Sequence, residues 1–226
     1  MGCGVVYGLA TGVKAFTKEG DAILIQQPVY YPFSEVIRDN DRVIVSNDLI
    51  LGDDNRYHID LADFEKQIVE HDVKLFLLCS PHNPVGRVWK EWELRKIGEI
   101  CLKYQVVVVS DEIHADFVFK GKHQVFAAIS KEFADFTITC TSPSKTFNLA
   151  GMKTSNIVIH NKELQAAWKE LIGGKLSMNG AGTLGLTAMI AAYNEGEEWL
   201  EQLKEYLDGN FAYIDAFLKE HLPEAH

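Results

Sequence analysis

The chain has 226 residues, of which 47% are hydrophobic and 24% charged, and its formal net charge is -10. That length admits one large domain or two small ones, and the composition is that of an ordinary folded protein. The acidity argues against the basic faces that hold nucleic acids or anionic membranes, and suits a cytoplasmic protein.

Glycines come first. Gly8, Gly12 and Lys14 approach a phosphate loop but have the wrong spacing, and Gly2, Gly4 and Gly8 miss a dinucleotide fingerprint by one residue. No strand precedes either, and both motifs need strand, glycine loop and helix in order. Ala22–Gln27 and Arg42–Ser46 are short apolar, strand-like runs. Residues 59–69 place Ile59, Leu61, Phe64, Ile68 and Val69 at the spacing of one helix face. Lys74–Cys79 reads as a strand closed by the turn Pro81-His82-Asn83-Pro84, and 90–104 again has helical spacing. The run 106–110, four valines and a serine, is the signature of a strand buried on both faces. Residues 136–141 and 155–160 predict two further strands. From Lys162 onward the pattern is helical, with long stretches at 184–193 and 197–222. The latter carries Trp199, Leu203, Leu207, Phe211, Ile214 and Leu218 on one face. Strands alternating with helices predict a three-layer α/β/α fold with a mostly parallel sheet. The division expected is a large domain over 1–196 and a long helix over 197–226 leading away from it.

The four cysteines, Cys3, Cys79, Cys101 and Cys140, form no C-x-x-C pair, and Cys79 and Cys101 lie in apolar runs. They read as buried free thiols of a reducing compartment. Cys79 and His82 lack a second ligand pair, so no metal site is expected. No apolar run reaches the length of a membrane span, and no leader-like segment opens the sequence.

Three polar residues follow three successive predicted strands. Asn83 follows the strand ending at Cys79, Asp111 ends the valine strand, and Lys145 follows the strand ending near Thr141. Parallel strands bring all three to one edge, where an open α/β sheet builds its crevice. Each alone has a bland reading: a turn asparagine, a capping aspartate, a solvated surface lysine. Together they supply what pyridoxal 5′-phosphate needs, a lysine for an imine and a carboxylate for the pyridine nitrogen.

The stretches P-V-Y-Y-P-F at 28–33, P-H-N-P-V-G-R-V-W at 81–89, S-D-E-I-H-A-D-F at 110–117 and S-K-T-F-N-L-A-G at 144–151 carry a family resemblance. The sequence resembles the fold-type I pyridoxal-phosphate enzymes, the class I/II aminotransferase superfamily. Within it the sequence is most similar to the carbon–sulfur β-lyase branch of cystathionine β-lyases and cystalysin. The resemblance implies that Lys145 is the Schiff-base lysine and catalytic proton carrier, with Tyr30 stacked on the ring as a second catalytic residue. It further implies that Asp111 faces the pyridine nitrogen, that Asn83 bonds the 3′-oxygen and that His114 stands near that oxygen. Ser142, Ser144 and Lys153 fall near the phosphate; many relatives have arginine where Lys153 stands, and lysine lacks its bidentate fork. The segment Gly4-Val5-Val6-Tyr7-Gly8 resembles the start of the phosphate-binding helix, where N–H groups suit an anion.

The implied reaction releases a thiol, pyruvate and ammonia from a small-molecule L-cysteine derivative. The alternatives are a class I/II aminotransferase and a truncated, non-catalytic domain that holds the cofactor. Full family members are homodimers with an N-terminal arm and a C-terminal small domain, so the chain is expected to be a fragment. The substrate-carboxylate arginine belongs to that small domain, and Arg38, Arg42, Arg56, Arg87 and Arg95 do not fit its motif. The loop 177–180 is expected to reach toward a partner subunit's site.

Overall fold

The computed structural model describes residues 2–177 and 180–224. Met178 and Asn179, the centre of the loop expected to reach a partner, lie outside the described residues.

Helix α1 (Val5–Phe16) leads to strand β1 (Ala22–Ile25), helix α2 (Pro32–Arg38) and strand β2 (Val43–Ser46). Two-residue strands β3 (Ile50–Leu51) and β4 (Tyr57–His58) form a separate antiparallel pair. Helix α3 (Leu61–Glu70), strand β5 (Leu75–Cys79), helix α4 (Glu91–Lys103) and strand β6 (Val107–Asp111) follow. Then come α5 (Lys131–Asp135), β7 (Thr137–Thr141), the single turn α6 (Pro143–Thr146) and β8 (Asn156–Ile159). Helix α7 (Lys162–Lys169) runs into a π-helical stretch at Glu170–Lys175, and α8 (Thr183–Glu195) and α9 (Glu197–His221) close the chain. Local chemistry explains several boundaries. Asp60 Oδ1 accepts from the backbone N–H groups of Ala62 and Asp63, both at 3.0 Å, and so starts α3. Asn161 caps α7 the same way, and Pro32 sits in the first turn of α2, where its missing N–H costs nothing.

The main sheet has six strands in the order β2-β1-β5-β6-β7-β8. All neighbours are parallel except β7 and β8, which run antiparallel. The expected α/β class with a mostly parallel sheet is therefore the observed one. Strands β1 and β5 are buried at every position, because helices cover both faces. One core, around Phe64, Phe76, Trp89, Leu94 and Phe126, lies under α3 and α4. The other, around Leu9, Val13, Ile25, Phe33 and Val109, lies under α1 and α2.

Gly8 and Gly12 set the seat of α1. A Cβ on Gly8 would stand 2.9 Å from Ile157 Cδ1, and one on Gly12 would stand 2.8 Å from Val109 Cγ2. The bare helix face therefore lies directly on the sheet, and this fixes where the N-terminus of α1 points. The predicted apolar stripe of α9 behaves differently: Trp199, Phe211 and Ile214 are exposed, and no described residue of α9 is buried. Leu203, Leu207 and Leu218 of that stripe are half-buried, and its rings pack through Phe147 against Trp199 and Phe119 against Phe211.

Candidate active site

A cleft of about 450 Å³ opens at the carboxyl edge of the sheet. Tyr30 enters it from the segment after β1, Asn83 from the turn after β5, and Asp111 from the last position of β6. His114 comes from the turn after β6, and Ser144 and Lys145 from α6 after β7. Lys153 and the first residues of α1, including Val5 and Val6, complete the wall. Four parallel strands ending together thus gather residues spread over more than half the sequence.

Asp111 forms the buried floor. Its Oδ1 accepts from the Ile113 N–H at 3.1 Å, and among the described residues it has no ion-pair partner within hydrogen-bond distance. Burial pushes its carboxyl up to about 7, opposed by the Ile113 N–H and the Lys145 charge and assisted by Glu112. Burial, and then the Lys145 charge, holds the half-buried His114 imidazole below its ordinary range. Burial raises the Tyr30 phenol, with Tyr31 and Asp111 adding to it. The Tyr30 backbone N–H donates to Asn83 O at 3.0 Å, which locks the first two wall segments together. Cys79 also faces the cleft, but burial raises its thiol strongly and keeps it protonated.

Lys145 sits on a turn braced from both sides. Ser142 Oγ donates to Thr154 O at 2.7 Å and accepts from the Ser144 N–H at 3.1 Å. On the other flank, Thr146 Oγ1 donates to Asp116 Oδ2 at 2.6 Å. The Lys145 ammonium itself has no hydrogen-bond or ion-pair partner among the described residues, and the side chain is exposed on the cleft wall.

The far end of the cleft is built from backbone. Gly4 caps α1 at φ 118, a conformation that L side chains rarely adopt, and brings no capping side chain. The opening N–H groups of α1 are left without intrahelical acceptors and face the cleft. Val5 turns its side chain into the core, so it reaches the cleft by its backbone, whereas Val6 is exposed. Lys153, at φ 50, sits opposite in the left-handed region. Ser155 fastens this end: its Oγ accepts from the Gly4 N–H at 3.2 Å, and its backbone pairs with Gly2.

The structure therefore brings together Tyr30, Asn83, Asp111, His114, Ser144, Lys145, Lys153, Val5 and Val6. It does not bring Ser142 to the wall: this serine is buried behind it, with its hydroxyl committed to Thr154 and Ser144. Cys3, Ile113, Ala150 and Thr154 line the cleft without having been anticipated. Tyr7 lines it with Gly4, Val5 and Val6, as part of the glycine segment expected at this end.

Residues 1–224 match the family model described as aminotransferase class I and II. Cystathionine beta-lyase PatB of Bacillus subtilis is 44% identical over 225 residues, covering 98% of this chain and 57% of the relative. A cystathionine beta-lyase of Corynebacterium glutamicum is 37% identical, covering 96% of this chain and 56% of the relative. Among solved structures, cystalysin from Treponema denticola, which contains a pyridoxal 5′-phosphate cofactor, superposes with a TM-score of 0.93 at 41% identity. That alignment covers 99% of this chain and 56% of cystalysin. The chain thus spans a little over half the length of these relatives.

Proposed function

The chain belongs to the class I and II aminotransferase family, and from that premise we propose that it is the cofactor-holding part of a pyridoxal-phosphate-dependent carbon–sulfur β-lyase. One observation carries the reading. Among the described residues, a buried carboxylate without a cation partner (Asp111) and an unpartnered lysine amine (Lys145) line one cleft, whose other end is the start of α1 with its N–H groups lacking intrahelical acceptors. Each feature is incomplete alone, and one phosphorylated pyridine aldehyde would satisfy all three. Two similar proteins named as cystathionine beta-lyases support the choice of lyase within the family.

In this reading the start of α1, Lys153 and Ser144 hold the phosphate, since helix N-termini and a lysine suit a dianion. Asp111 would hold a proton on the ring nitrogen, and Asn83 and His114 would orient the ring's phenolic oxygen. Tyr30 covers the ring face and excludes water. Bound there, the cofactor supplies an electron-poor ring that accepts electrons from bonds at the substrate's α-carbon. Lys145 Nζ holds the cofactor before substrate arrives and afterwards moves the proton at the α-carbon. The net reaction converts an L-cysteine thioether and water into a thiol, pyruvate and ammonia.

The test is direct. Purified chain mixed with pyridoxal 5′-phosphate should develop an imine absorption band that is absent from Lys145→Ala. The loaded chain should release pyruvate from a cysteine thioether. Transfer of the amino group to a keto acid without pyruvate would replace the lyase with an aminotransferase. An imine band without either product would leave a cofactor-holding domain.

A further inference from the structure

The cleft does not end at Asn83 and His114. Both residues also line a second hollow of about 340 Å³. That hollow shares Gly86, Val88, Phe117, Phe119 and Phe211 with a third of about 760 Å³. Cleft, apolar throat and outer basin thus adjoin in a row, each sharing wall residues with the next.

The basin is cationic in a chain whose net charge is -10. Arg56, Lys90, Lys120 and Lys122 line it, and none has a carboxylate within ion-pair distance among the described residues. Arg87 also lines it, but its guanidinium is committed to Glu93 at 2.7 and 2.9 Å. Asp208 is the one acid on the basin wall. On the basin wall itself four available cations face one carboxylate; the glutamates Glu198, Glu201 and Glu205 line the next hollow, beyond Phe119 and Asp208, so the positive potential is confined to the basin.

Lys120 and Lys122 stand on a built support. They flank Gly121, whose φ of 88 makes the tip of the loop. Buried Glu112 ties down both ends of that loop: its Oε1 accepts from Ser110 Oγ at 3.0 Å and from the Phe126 N–H at 3.1 Å. Its Oε2 meets His123 Nε2 at 2.7 Å. Phe119, within the same loop, packs edge-on against Phe211 with ring centroids 5.2 Å apart, and these rings wall the throat.

We propose that throat and basin form the subsite for the sulfur-linked arm of the substrate, and that it selects thioethers whose arm crosses the apolar throat and ends in a carboxylate. The inference rests on reading the cleft as an amino-acid site. It adds a ranking that the cleft alone does not give: an anionic arm over a zwitterionic one, because Asp208 is outnumbered, and a zwitterionic arm over a neutral one.

The experiment uses S-carboxyalkyl-L-cysteines of increasing arm length and their uncharged carboxamide isosteres. Each is titrated into the cofactor-loaded chain and followed by the change in the visible spectrum. The acid should bind about fivefold more tightly than its amide at the best arm length, the order expected of two exposed charge pairs. In Lys120→Gln/Lys122→Gln that ratio should fall to about twofold or less, Arg56 and Lys90 being left on the wall. In Lys66→Gln/Lys96→Gln, which makes the same net charge change on α3 and α4, it should persist. Equal binding of acid and amide in the parent chain would overturn the subsite, as would a ratio that survives the loop variant or is lost equally in the control. If the chain shows its imine band but no arm alters it, the amino-acid reading of the cleft fails, and the subsite fails with it.

Discussion

The two ends of the cleft are made of different materials. At one end, Asp111, Asn83, His114 and Tyr30 present side chains from the ends of three strands, β1, β5 and β6, or from the turns beyond them. At the opposite end the wall is the backbone of one helix start, with Lys153 and Ser144 beside it. Side chains can be removed one at a time, and each removal leaves a specific gap. A ring of amides cannot be pruned, and it fails only if the helix moves. Substitutions at the side-chain end should therefore have large, separate effects, and those at the amide end small, shared ones.

Lys145 joins the two ends, so its loss should have the largest effect. Lys145→Ala should abolish covalent capture of the cofactor, read as the missing mass increment after borohydride reduction. Any β-elimination should drop by about 10²- to 10⁴-fold, the range for a positioned proton carrier. A retained mass increment would move the imine to another amine.

Asp111 comes next. Removing one partner of a buried charge pair costs about 3–5 kcal/mol, so Asp111→Ala should weaken cofactor binding roughly 100-fold or more. The cofactor-free chain offers a sharper test through pH. The Asp111 carboxyl is raised to about 7 in the folded chain, against about 3.9 unfolded. Between those values the folded chain keeps a proton that the unfolded chain releases. The resulting stability is fully present below about pH 4 and is lost as pH rises through 7, on the order of 4 kcal/mol in all. Asp111→Asn cannot ionise, so thermal unfolding of that variant should lack this part of the decline and exceed the parent at pH 8. Cofactor binding should flatten the parent's curve by giving the carboxylate its cation.

The same division governs what the sequence could reveal. Asn83, Asp111 and Lys145 were legible because each ends or closely follows an apolar strand run, and parallel strands have only one carboxyl edge. The six main strands were legible for the same reason, although β8 proved to be Asn156–Ile159, shorter than the run that predicted it. Thr154 and Ile113 were not, because they reach the cleft from irregular segments without periodicity. The two-residue strands β3 and β4 are too short to carry a pattern. The stripe on α9 was read correctly as a helix face, yet periodicity cannot say what covers such a face, and the sheet does not.

Lys153 tests the amide end. It is exposed and shares its task with fixed N–H donors, so Lys153→Ala should weaken cofactor binding only about three- to tenfold, by equilibrium titration. A loss as large as that of Asp111→Ala would mean that the lysine, not the helix start, holds the anion.

Ser142 gives the smallest effect on binding and the finest discrimination. By resemblance it contacts the phosphate; in the fold it stands behind the wall, with its hydroxyl between Thr154 O and the Ser144 N–H. These placements predict opposite patterns. As a brace, Ser142→Ala leaves a buried carbonyl and a cap N–H unpaired, costing about 1–2 kcal/mol. The cofactor-free chain should then melt about 2–8 °C lower, since a chain of this size shifts about 2–4 °C per kcal/mol. Cofactor affinity should change by less than about threefold, well under 1.4 kcal/mol. As a phosphate ligand, the same substitution should lower affinity about tenfold while the cofactor-free melting point holds. The committed hydroxyl favours the brace, because donating to the phosphate would require it to release Thr154 O, the residue after Lys153, and so loosen the amide end it was meant to serve.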